Sequence, residues 1–188
     1  MSVAVVGVVG GILAAVIGSW AVLRARHPLK AQLELVDVSV VSTQRTGSRY
    51  SDWREGRYEE HIYVAVLDVK VRNTGGQVAV LKRFHVHIEQ AEASGPASAR
   101  LYSALEPSGT YSVLLPDPGA VAHEASFTQP RREKEISHAV PPGDADRFEI
   151  QLMMSIPKRQ RYRYRVRLVL DYNADGFISS DSLAFSCP

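Results

Sequence analysis

From Ile62 to Arg72 the chain alternates. Leu67, Val69 and Val71 are apolar, Asp68, Lys70 and Arg72 are charged, and a period of two puts the two kinds on opposite faces of a strand. The segment Val78–Glu89 repeats the pattern with Phe84, Val86 and Ile88 set against His85, His87 and Glu89. Between them, Asn73-Thr74-Gly75-Gly76 is turn chemistry, so the two runs read as strands joined in a hairpin. Further along, Phe148, Ile150, Leu152 and Met154 share one face of a strand, and Tyr162, Tyr164, Val166, Leu168 and Leu170 share one face of the next. Another strand is expected near Phe177–Phe185, after the Asn173-Ala174-Asp175-Gly176 turn, and others over Gln32–Val41 and Tyr111–Leu115. Ser42–Glu59, with Trp53 inside it, reads as a charged loop; Glu89–Ala99 and Thr128–Glu135 read as surface connections.

No long stretch shows a 3.6-residue period. Several short strands separated by Gly/Pro turns predict an all-β fold, an antiparallel β-sandwich over residues 31–188. The Leu67–Glu89 stretch, strand–Asn-Thr-Gly–strand, resembles the immunoglobulin-like or fibronectin III-like sandwiches of bacterial surface and membrane proteins. That resemblance implies binding or spacing and carries no activity with it. The cysteine pair of antibody-type domains is missing, because Cys187 is the single cysteine; it is expected at a frayed terminus.

The N-terminal pattern is of another kind. No Asp, Glu, Lys or Arg occurs from Met1 to Leu23. As a helix this run is about 33 Å long, enough to cross a hydrocarbon core of about 30 Å. Residues 1–24 are therefore expected to be one transmembrane α-helix, with Trp20 as an interfacial anchor. A cleaved signal peptide is the rival reading, but nothing basic precedes the apolar run. Arg24 closes the helix, Arg26 and Lys30 follow in a basic juxtamembrane linker over 25–30 that Pro28 interrupts, and the positive-inside rule places the C-terminal domain in the cytoplasm. Gly7, Gly11, Ala15 and Ser19 recur every fourth residue, a small-residue stripe that can bring two such helices together as a homo-oligomer.

A net charge of +2, from 22 Lys+Arg against 20 Asp+Glu, excludes a polyanion-binding tail. The positive charge is nevertheless concentrated. Arg161, Arg163, Arg165 and Arg167 alternate along one strand, their guanidinium groups spaced roughly 6.6–7 Å apart on one face. Such a row fits an acidic protein partner or anionic lipid headgroups. Nucleic acid is not expected, since Tyr162 and Tyr164 point to the opposite face and cannot stack bases beside these arginines. The plainer reading is a solvated face with cross-strand carboxylates, Glu149 being one candidate.

Two clusters invite a metal. Asp171-x-Asn173-x-Asp175-Gly176 matches the opening of a calcium loop, with oxygen ligands at alternate positions and a glycine for the bend. Position twelve, however, is Ser182 where a bidentate carboxylate belongs, so calcium binding is expected to be weak, and a simple hairpin turn accounts for the same residues. His85, His87 and Glu89 share a strand face with His61 expected near it, but no further ligand is fixed. No nucleophile elbow, phosphate loop or H-E-x-x-H motif occurs, and no cofactor is implied. The expectation is a single-pass, membrane-anchored, non-catalytic β-sandwich that serves as an interaction or scaffolding module. The alternative is an outward-facing calcium- or carbohydrate-binding module.

Overall fold

The computed structural model describes residues 30–53, 56–93, 106–116, 130–157 and 160–187. The expected spanning helix, its small-residue stripe and most of the basic linker lie outside these residues. Among the described residues no helix is long and apolar enough to cross a membrane.

Among the described residues, nine strands form two sheets. They are β1 (Leu33–Trp53), β2 (Gly56–Asn73), β3 (Ala79–Ala93), β4 (Thr110–Leu114), β5 (Arg131–Val140), β6 (Ala145–Pro157), β7 (Tyr162–Tyr172), β8 (Gly176–Ser179) and β9 (Leu183–Cys187). One sheet has the order β1-β2-β6-β4; the other runs β5-β3-β7, with β8 and β9 both paired to β7. The edges approach each other, β1 near β8 and β9, and β4 near β5. Between the sheets the alternating apolar positions meet: Leu67, Val69, Val71, Phe84, Val86, Phe148, Ile150, Leu152, Tyr164, Val166 and Leu168 are all fully buried. Burying each such side chain contributes about 1.5–3 kcal/mol.

The all-β expectation stands among the described residues, and several finer expectations change. First, β2 and β3 do not form a hairpin. They belong to different sheets, and the Asn73–Gly76 turn is an arch across the core. Alternation shows that each strand has one oily face; it is silent on whether two such faces lie side by side or meet. Asn73 makes the arch possible. It is fully buried, its amide donates to Gln77 O (2.8 Å) and Val140 O (2.9 Å), and its Oδ1 accepts from Gly75 N (3.0 Å) and Gln32 N (3.3 Å).

Second, the described residues of the expected loop from Ser42 to Glu59 are strand. β1 continues to Trp53 and pairs in register with β2 as far as Trp53↔Gly56. Polar composition hid it, because β1 is an edge strand with three register shifts and, beyond Val41, little apolar face to bury. Third, the sandwich is not wholly antiparallel, since β4 pairs with β6 in parallel. Fourth, the connection expected at Thr128–Glu135 contains the start of β5, an edge strand whose charged residues read as loop. The strand expected near Phe177–Phe185 is broken in two, β8 and β9.

Cys187 also departs from expectation. It is buried, 3.6 Å from the Met154 sulfur, and burial pushes its thiol up to about 12. A thiol with so little thiolate is a packing group rather than a reactive one.

Candidate partner-binding face

Strand β7 presents Tyr164, Val166, Leu168 and Leu170 to the core, which turns Arg163, Arg165 and Arg167 outward, with Arg161 exposed just before the strand begins. Tyr164 stacks on Phe185 inside the core at 5.5 Å, so neither the ring nor its face is offered beside the arginines. The sequence places this row correctly. It does not reveal which of the four charges is already neutralised.

Arg167 is neutralised. A bulge in β3 between Ile88 and Gln90 turns Glu89 toward it, and Glu89 Oε1 accepts from Arg167 Nε at 3.0 Å and Nη2 at 2.9 Å. The other carboxylate oxygen accepts from Ser182 at 2.6 Å. The Ser182 hydrogen bond leads in holding the Glu89 carboxyl below its usual range, against burial, with Arg167 and Arg165 adding to it. Glu149, the carboxylate expected opposite the row, is not there. It lies on β6 in the other sheet, in register with Asp68 and Thr110.

Arg161, Arg163 and Arg165 stay exposed and make no ion pair among the described residues. Glu92 stands opposite Arg163 in the ladder, yet its carboxylate accepts instead from Gln90 at 2.8 Å. On the other flank, Arg163 pairs with Ser186 and Arg165 with Ala184, small residues that leave the guanidinium groups uncovered. Nearby, burial leads in lowering the His87 pKa, with His85, Arg131 and Arg167 pushing the same way.

The two metal candidates are placed differently from each other. Asp171 Oδ2 is 2.8 Å from His85 Nε2, and Asn173 Oδ1 accepts from Val80 N at 2.8 Å. Asn173 takes φ 52°, the left-handed conformation that Asn tolerates, at the start of the β7–β8 turn. Asp175 is exposed in that turn. Gly176 is needed for a reason the motif did not contain: any Cβ there would strike the ring of Tyr172, its ladder partner. The rings of His85 and His87 lie 6.3 Å apart, and His61, on β2 in the other sheet, does not join them. No group of three potential metal ligands gathers among the described residues.

One cluster has no signature in the sequence. His138 on β5 faces Asp146 at the start of β6, Nε2 to Oδ2 at 2.6 Å, and its Nδ1 is 3.0 Å from the Tyr111 hydroxyl on β4. The pairing ties the edge of one sheet to the other and gives both ring nitrogens a hydrogen-bond partner. Residues from three strands meet there, and no local spacing announces it. Burial raises the Asp146 pKa, but hydrogen bonds from Ser108, the Arg147 amide and His138 outweigh it, so the net shift is downward. A depressed carboxyl stabilises the fold above its unfolded value and loses that contribution as the pH falls through the folded one. Asp146→Asn should therefore lower the melting temperature at pH 7, and the gap to wild type should close as the pH drops below the ordinary aspartate value of 3.8. Thermal melts at several pH values measure this; a gap independent of pH would exclude it.

An open groove of about 600 Å³ passes this cluster, lined by Val36, Lys70, Pro107, Ser108, Asp146 and Arg147. Three of its charged groups are already engaged, Lys70 with Asp37, Arg147 with Asp68 and Asp146 with His138, while Glu106 at its rim has no ion pair among the described residues.

The comparisons with known proteins add little. No protein-family model matches the chain, and no curated protein matches it. Among solved structures, the chain is similar to one described as the X-ray structure of Northeast Structural Genomics Consortium target SoR45. The identity is 10% and 84% of each chain is covered, but the TM-score of 0.33 is too low to carry an argument.

Proposed function

We propose that this chain is a single-pass, membrane-anchored, non-catalytic β-sandwich that acts as an interaction or scaffolding module at the cytoplasmic membrane surface. The charge-free run before Arg24 and the basic residues after it support the anchor and its orientation. The observation that carries the interaction role is the exposed Arg161–Arg163–Arg165 row. Three like charges at strand spacing repel one another, and a fold gains nothing by leaving them uncompensated. An incoming anion removes that repulsion.

The full chain should fractionate with membranes, resist a high-salt wash, and be digested by protease in inverted vesicles but not in intact cells. A photo-cross-linking residue in place of the exposed Asp181, just ahead of β9, should give a discrete adduct in the membrane fraction. Charge reversal of the three arginines should remove that adduct. A chain that stays in the soluble fraction, or an adduct indifferent to charge reversal, overturns the reading.

A further inference from the structure

We infer that the occupant of the arginine row is an acidic, extended protein segment that lies along β9 and presents a carboxylate at every second residue. The inference rests on the reading of this row as an interaction face and names the chemistry of its partner.

The direction of approach follows from the flanks. On the β3 side the face carries Gln90 and Glu92, and the Glu92 carboxylate would repel an anion. On the β9 side it carries Ala184 and Ser186. Strands in a sheet lie about 4.8 Å apart, so a segment over the outer edge of β9 runs about 10 Å from β7. An arginine reaching sideways over an alanine or serine closes most of that gap, whereas a bulky residue at either position would block it. Among the described strands β9 pairs only with β7, and β1 of the other sheet lies beside its outer edge, so the segment rests on the outward face over β9 rather than joining the sheet as a further strand. An extended acidic segment repeats every 6.6–7 Å on one face, about the same repeat as the arginines. Carboxylates also suit guanidinium groups, which bind them in bidentate pairs.

The same geometry disfavours lipid headgroups. The chain joins the sandwich at Leu33, which pairs with Asn73, and β2 in turn sets Arg72 against Ala145 at the start of β6. Arg161 lies just beyond the opposite end of β6, which is 13 residues long. Thirteen residues of strand span about 40 Å. The row is thus at the end of the domain remote from where the preceding chain attaches.

The test uses the full chain in phosphatidylcholine nanodiscs and a fluorescein-labelled dodecapeptide alternating Glu and Thr, read by fluorescence anisotropy. A control peptide of the same composition carries its glutamates in one block. The alternating peptide should bind in a salt-sensitive manner and several-fold more tightly than the block peptide. The triple variant Arg161→Glu, Arg163→Glu, Arg165→Glu should weaken it at least tenfold, and Ala184→Phe, which leaves every arginine in place, should do so comparably. Unchanged melting temperatures would show that both variants fold. Equal affinity for the two peptides, or binding indifferent to Ala184→Phe, overturns the inference. If phosphatidylserine vesicles bind through the arginines and the peptide does not, the interaction face stands with lipid as its occupant and this inference falls. If neither probe binds, both fall.

Discussion

Asn73→Ala should cost about 3 kcal/mol or more, although it removes only one small side chain. Its amide and carbonyl satisfy Gly75 N, Gln77 O, Val140 O and Gln32 N, and its backbone is also bonded, N to Asp144 O and O from Gly143 N. Each buried group left without a partner costs about 1–3 kcal/mol. In a domain of this size 1 kcal/mol corresponds to about 2–4 °C, so a fall of about 6–12 °C is expected in thermal unfolding. The neighbouring Thr74→Val is the control. Thr74 is exposed and its hydroxyl donates one long bond of 3.3 Å to Gln32 O, so that substitution should move the midpoint by no more than about 1–2 °C. Equal effects of the two would mean that the arch does not depend on Asn73.

The second large effect is expected at Asp68. Its side chain is 6% exposed, and Oδ1 accepts from Arg147 Nε at 2.7 Å, while Arg147 is itself only 16% exposed. The two terminal nitrogens of Arg147 are buried without a hydrogen bond, and Glu149 comes no closer than 3.8 Å. Asp68→Ala therefore strands a guanidinium group whose charge has no adequate partner, at a cost of about 3–5 kcal/mol. Replacing both residues should be milder than replacing one: Asp68→Ala with Arg147→Met removes the buried charge along with its partner and should recover most of the loss. A urea-melt double-mutant cycle checks this. Additive losses would show that the pair is not coupled. The more exposed pair Lys70–Asp37, 2.9 Å apart with both side chains more than two-fifths exposed, should be almost silent when broken. Distance alone does not separate these pairs; desolvation does.

Both effects involve polar residues at positions that the sequence pattern files as turn or outward face. Asn73 sits in a run of turn formers, and Asp68 alternates with Leu67 and Val69, as a solvent-facing residue would. Each is buried because of something distant in sequence. Val140 closes over Asn73 from 67 residues away, and Arg147 covers Asp68 from 79 residues away. The candidate face divides in the same manner. Period two alone puts Arg163, Arg165 and Arg167 on one face and Tyr164 on the other. That Arg167 is neutralised and its neighbours are not depends on a bulge at Glu89, 78 residues upstream, and on Ser182.

The strands that bury a face were legible from the residues, because alternation is a local property of an extended backbone: β2, β3, β6 and β7 all lie where apolar and polar residues trade places. So was the common side of the arginines, since neighbours at i and i+2 must share one. Which strands pair was not legible, because pairing is a contest between distant partners. Two successive amphipathic strands bury their oily faces equally well in one sheet or across two, and here the arch at Asn73 and the passage from β6 to β7 send the chain across the core. The edge strands were settled in the same contest. β5 and the part of β1 beyond Val41 have little apolar face of their own, so the ladders offered by β3 and β2 decide that they are strands.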